Sequence, residues 1–164
     1  MTIEQVVEKL NIYGPMIVFI LLYLEGLNLS GIPATVIMPA VGFYIGERNY
    51  SFAFLFFIAI VAGILGNLTY YWIASKLGKR IYDKIYNKFP STQKPLDKAM
   101  SLSTKYGDKA CFIGRLIPGV RAFVSLISGI FRIELKKFTL YSLLGIVVWD
   151  FIAIFTGYMV AIKR

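Results

Sequence analysis

The sequence predicts an all-α integral membrane protein: two re-entrant helical hairpins in an inverted repeat plus about three transmembrane helices. Three observations carry that expectation. The 164-residue chain is 57% hydrophobic with a mean hydropathy of +0.66, well above soluble usage. Two apolar runs, FAFLFFIAIVAGILGNLTYYWIAS (52–75) and FTLYSLLGIVVWDFIAIFTGYMVAI (138–162), exceed the roughly 20 residues needed to cross a bilayer. Two further apolar segments, 26–46 and 111–131, are interrupted by glycine and proline. The length fits a single membrane domain over 1–164.

Taken in order, residues 2–10 form a short amphipathic helix, with Ile3, Val6, Val7 and Leu10 at helical spacing. An apolar stretch over 5–24 is the third candidate span, with Gly14-Pro15 inside it. The opening residues carry Glu4 and Glu8 rather than a basic region and a small-residue cleavage site, so they do not read as a signal peptide. Segment 26–46, GLNLSGIPATVIMPAVGFYIG, is the first re-entrant hairpin, hinged at Gly31, Pro33 and Pro39. Irregular backbone in lipid must face protein or a water-filled cavity. The first long span, 52–75, follows the polar turn GERNYS.

Residues 76–110 read as a basic cytoplasmic loop. Lys76, Lys79, Arg80, Lys84, Lys88, Lys94, Lys98, Lys105 and Lys109 stand against three aspartates there, within a chain of net charge +9. Such a cluster is the mark of a cytoplasmic segment and also attracts anionic headgroups. No basic-aromatic motif points to nucleic acid. One helix is expected in the loop, starting at Pro95 and capped by Gly107. The second hairpin, 111–131, breaks at Ile117-Pro118-Gly119, and the span 138–162 closes the chain.

The halves resemble one another. Ile32-Pro33 precedes Gly42 and then Phe52; Ile117-Pro118 precedes Gly129 and then Phe138. Paired Gly/Pro-broken segments in corresponding halves point to an inverted-repeat transporter, although apolar segments share such likeness by chance.

Arg115 and Arg121 are the residues that ask for chemistry. They stand six apart in FIGRLIPGVRAF, and a guanidinium at membrane depth is costly and cannot lose its proton. Snorkelling or a structural ion pair would account for them; so would an anion site, because arginine binds phosphate bidentately. The break at Pro118 and Gly119 lets both arginines approach one site and starts a half-helix whose N–H groups point at the same anion. Glu25 reads either as a solvated helix end or as a proton acceptor. Asp150, within VVWDFIAIF, is an intramembrane carboxylate whose expected partner is Arg115 or Arg121, in a structural pair or a functional one. Gly63, Gly66 and Asn67 read chiefly as helix packing with an interhelical hydrogen bond. Tyr70, Tyr71 and Trp72 fit an interfacial belt. The chain has no histidine and one cysteine, Cys111. That removes His-based metal sites and nucleophile pairs, and no catalytic residue, metal or cofactor is expected.

On these residues the chain resembles the DedA family, also called the SNARE-associated Golgi or VTT-domain superfamily. The likeness lies in Gly107, Gly114, Arg115, Pro118, Arg121, Gly129, Phe138, Gly145 and Trp149, and more loosely in AGILGNLTYYWIASKLG and LEGLNLSGIPATVIMPAVGFYIG. It covers residues 20–160. The resemblance implies re-entrant hairpins and a flippase or scramblase of the cell (inner or plasma) membrane, multi-pass. Its substrate would be a phosphate-bearing lipid such as undecaprenyl phosphate or a phospholipid, with dependence on the proton motive force. By position, Arg115 and Arg121 with Pro118 and Gly119 take the substrate-binding role and Glu25 the acidic one. The family often has a second acid in the first hairpin, where this chain has Pro33-Ala34-Thr35; Asp150 is the substitute offered for it. The expected partners are the lipid phosphate headgroup and the membrane, not nucleic acid; whether copies of the chain form a homo-oligomer is left open. The competing expectation is a small-ion or solute transporter with an arginine-lined anion site.

Overall fold

The computed structural model describes residues 3–48 and 50–163, with side chains from residue 14 onward. Helices account for every regular element among the described residues. Where each begins and stops follows from local chemistry.

Helix α1, Ile3–Gly26, is interrupted at Gly14, whose φ of 63° suits only a residue without a side chain. Pro15 then restarts the helix, because a missing N–H costs nothing in a first turn. The expected amphipathic face of residues 2–10 falls on side chains outside the described set. A loop over 27–33 holds Asn28 and Gly31 at positive φ, and Ser30 Oγ donates to the Ile32 carbonyl at 3.1 Å. Pro33 caps α2, Ala34–Glu47. The break thus falls at 27–33, around Gly31 and Pro33, while Pro39 lies inside the continuous helix α2, and Gly14–Gly26 forms the arm that precedes the break.

Helix α3, Phe52–Lys88, has 37 residues and runs well past the apolar stretch. The expected loop over 76–110 is therefore mostly helical. Charge marked it as polar, but nothing in SKLGKRIYDKIYNK forbids a helix until Pro90. Helix α4, Pro90–Tyr106, begins with that proline in its first turn, five residues before the expected start, and ends on Gly107 at φ 54°. A single 3₁₀ turn leads into α5, Ala110–Arg115. After a non-helical turn and a second 3₁₀ turn at Arg121–Phe123 comes α6, Val124–Ile130. Helix α7, Leu135–Ile162, has 28 residues.

The chain forms two compact units, Met1–Gly66 with Ile146–Arg164, and Asn67–Gly145. It passes from one to the other within α3 and again within α7. The first unit has an apolar core of Val18, Leu22, Ile37, Val41, Ile45, Leu55 and Ile154. Its helices touch backbone to backbone: a side chain at Gly42 would strike the Ile154 carbonyl at 1.9 Å, and one at Gly157 the Pro39 carbonyl at 2.0 Å. The second unit has an apolar cluster of Cys111, Val124, Ile133 and Phe138, with Leu126 and Ile127 also fully buried. There a side chain at Gly129 would meet the Tyr71 carbonyl at 2.8 Å. The glycines paired in the two halves, Gly42 and Gly129, thus do the same work, each letting the arm after a break lie directly on a long helix.

Helices α3 and α7 are, among the described residues, long and apolar enough to cross a membrane, and only 33% of each apolar window is buried. Outward-facing Phe54, Phe57, Leu140, Phe151, Ile152 and Val160 are all more than half or nearly half exposed, a pattern that suits lipid and not water.

Candidate functional site

In the second unit, Arg115 ends α5 and is 3% exposed. It does not snorkel. Its Nη1 donates to Asn67 Oδ1 at 3.0 Å, and its Nη2 donates to Ser125 Oγ at 3.2 Å and Ser142 Oγ at 3.0 Å. Ser125 Oγ in turn donates to Asn67 Oδ1 at 2.8 Å. Asn67, Ser125 and Ser142 come from α3, α6 and α7, so the guanidinium ties three helices to the end of a fourth. These three acceptors are neutral oxygens that fix the orientation of the guanidinium. The guanidinium carbon lies 5.7 Å from the Phe138 ring centroid, within cation–π reach. Phe138 itself stacks on Tyr71 at 4.6 Å, and the Tyr71 hydroxyl donates to the Ile133 carbonyl.

Room for Arg115 comes from a glycine. A side chain at Gly145 would stand 2.9 Å from Arg115 Cβ and 3.2 Å from its Cδ. Gly114 instead lets α5 lie close to α6: a side chain there would meet Val124 Cγ2 at 2.7 Å.

Arg121 lies beyond the turn over 116–120 and is half-buried. Pro118 and Gly119 form the exposed part of that turn, with Gly119 at φ 80°. The turn supplies the break expected between the two arginines. The half-helix that follows does not present the expected row of N–H groups. The N–H of Arg121 donates to the Ile117 carbonyl at 3.1 Å, that of Phe123 to the Val120 carbonyl at 2.9 Å, and that of Val124 to Arg121. A short 3₁₀ start engages its own donors.

In the first unit, Glu25 sits in the last turn of α1, half-buried. Gly66 packs against this end of the helix: a side chain there would be 2.3 Å from the Tyr23 carbonyl and 3.0 Å from Gly26 Cα. Gly31 is open, with nothing within 4 Å of an added side chain. Asp150 is 1% exposed in α7.

Ser125 and Ser142 escaped the sequence reading, and Asn67 was read as a packing residue. The available signal was three small polar groups, in LGNLTYY, FVSLISG and LYSLLG, each at an otherwise apolar position. No group of His, Cys, Asp or Glu among the described residues could hold a metal ion.

A VTT domain matches residues 32–159. The uncharacterized membrane protein YbfM of Bacillus subtilis is 30% identical over 97% of this chain and 98% of its own length. Undecaprenyl phosphate transporter A of Staphylococcus aureus is 31% identical over 94% of this chain and 78% of its own. The uncharacterized membrane protein BU139 of Buchnera aphidicola is 30% identical over 92% of this chain, which spans 59% of that relative's length. No solved structure matches.

Proposed function

The chain belongs to the VTT-domain (DedA) family of membrane proteins, and from that premise we propose that it moves a phosphate-bearing lipid, such as undecaprenyl phosphate or a phospholipid, across the cell membrane as a flippase or scramblase. The observation that carries this reading is Arg115: a guanidinium 3% exposed, held by neutral oxygens from Asn67, Ser125 and Ser142. A relative 31% identical to the chain is named as an undecaprenyl phosphate transporter, which supports the choice of a lipid phosphate.

Moving a phosphate through hydrocarbon is opposed by the cost of desolvating its charge. A fixed, dehydrated guanidinium offsets that cost through its positive charge, which acts more strongly at low dielectric. Arg115 supplies the charge and Arg121 a second cation across the turn of Pro118 and Gly119. The lipid tails remain in the bilayer while the headgroup crosses. Short helices suit this role. Helix α2 has 14 residues, which at 1.5 Å each span about 21 Å against roughly 30 Å of hydrocarbon. Such an arm enters and returns; the two broken segments are then re-entrant hairpins, hinged in the first case at Gly31 and Pro33.

Proton coupling, in this proposal, rests on Glu25 and Asp150, the latter standing in for the acid missing from the first hairpin. In liposomes with a pH gradient, both Glu25→Gln and Asp150→Asn are expected to remove the response to the gradient. An Asp150→Asn protein with full transport, beside a dead Glu25→Gln, would end the idea that Asp150 substitutes for the missing acid.

The test of transport itself is reconstitution with a fluorescent lipid phosphate. The protein is expected to move the lipid faster than empty vesicles do, and Arg115→Ala to fall to the empty-vesicle rate. If lipid movement stays at the empty-vesicle rate while small-anion flux requires Arg115, the small-solute reading replaces this one.

A further inference from the structure

Helix α3 continues beyond its apolar stretch, and its cations are not evenly spread. Lys76, Lys79 and Arg80, with Leu77 and Asp83, line one hollow. Positions 76, 79, 80 and 83 share one helix face; Lys76 stands three and four residues from Lys79 and Arg80, where like charges repel, and Asp83 offsets part of that repulsion from the next turn. Three cations against one carboxylate leave the hollow net positive, so an anion seated among them relieves the rest. The tendency of cytoplasmic segments to be basic explains how many cations there are, but not why these gather.

One turn earlier stands Trp72, 58% exposed, with Lys76 Nζ 3.7 Å from its ring centroid. A tryptophan at the end of an apolar helix marks headgroup depth. Leu77, beside the cations, is 48% exposed. Apolar and cationic groups thus meet at the level where a lipid carries its phosphate.

We propose that Lys76, Lys79 and Arg80 form a docking site for the headgroup of an anionic phospholipid, with Trp72 and Leu77 against its chain-proximal end. The phosphodiester oxygens accept from the three cations. Asp83, at the far rim, accepts from a headgroup hydroxyl, which favours a hydroxylated headgroup such as phosphatidylglycerol. This lipid is resident on the surface and is not the cargo, so the site stands whether or not the chain transports lipid.

The chain has two tryptophans, so Trp149→Phe leaves Trp72 as a local reporter. The protein is reconstituted with brominated phosphatidylglycerol or brominated phosphatidylcholine at equal mole fraction. Brominated phosphatidylglycerol is expected to quench Trp72 more strongly, and the triple variant Lys76→Gln, Lys79→Gln, Arg80→Gln to quench equally with both lipids. Each neutralised cation is expected to cut the enrichment by up to about fivefold at low salt. Equal quenching before substitution, or a preference that survives the triple variant, overturns the site. Loss of the preference to inorganic phosphate, but not to chloride at equal ionic strength, overturns the lipid assignment in favour of a free anion. If Trp149→Phe does not fold, the unsubstituted chain minus Trp72→Phe gives the same signal.

Discussion

The arm after the first break, α2, buries Ile37, Met38, Ala40, Val41, Gly42, Tyr44 and Ile45, all without charge. The arm before the second break, α5, has 6 residues and ends on a buried arginine. Both segments break at Pro/Gly turns and both lay a glycine on a long helix, Gly42 on α7 and Gly129 on α3. Beyond that shared scaffold they diverge. Phe52, after the first hairpin, joins Phe56, Phe151, Phe155 and Tyr158 in an aromatic cluster. Phe138, after the second, lies within reach of the Arg115 guanidinium. The same backbone plan serves packing in one unit and a polar cage in the other, so scaffold and chemistry are separable.

The sharpest test of the shared scaffold is to enlarge its glycines. Gly42→Leu and Gly129→Leu should each cost about 3 kcal/mol or more, since overpacking against backbone cannot relax by rotamer change. Thermal unfolding in detergent checks this. A Gly129 variant as stable as the parent would show that the second hairpin does not depend on the same contact.

Next in size is the difference in chemistry. Asn67→Leu removes an acceptor from both Arg115 and Ser125 and should destabilise by about 2 kcal/mol, the cost of losing a buried hydrogen bond to a charged group. Ser142→Ala should cost less. Substituting Ile45→Val in the apolar unit should cost only about 1 kcal/mol. A neutral Asn67→Leu would mean that the cage does not hold the arginine.

A smaller effect than that of Asn67→Leu lies in the turns. Gly31 and Gly119 both sit at positive φ, with open space or an ordinary contact at 3.9 Å around an added side chain. Alanine at either should cost about 1–2 kcal/mol through backbone strain alone. Equal costs would mark the breaks as equivalent hinges; unequal ones would locate strain in one of them.

The breaks were legible in the sequence because proline and glycine act locally: Pro33, Gly31, Pro118 and Gly119 stand where the chain turns. The length of α3 was less legible. Its basic stretch reads as a loop by charge, which reports solvent and not backbone conformation. Gly78 within it is a contact point, where a side chain would meet Ile130 Cγ1 at 2.5 Å. The surroundings of Arg115 could not be read in advance. Asn67, Ser125 and Ser142 are 58 and 17 positions apart along the chain, and only tertiary packing brings them to one guanidinium. Gly145 belongs to the sequence motif, but its purpose lies in the Arg115 side chain packed against it.

The two units also differ in when they can be completed. Asn67–Gly145 is one continuous stretch, so a ribosome delivers the arginine and all its acceptors together. The other unit needs Ile154 and Tyr158, the partners of Gly42 and Gly46, and Gly157, the partner of Pro39. The first broken segment to be synthesised therefore waits, with its glycine face uncovered, until α7 has been made.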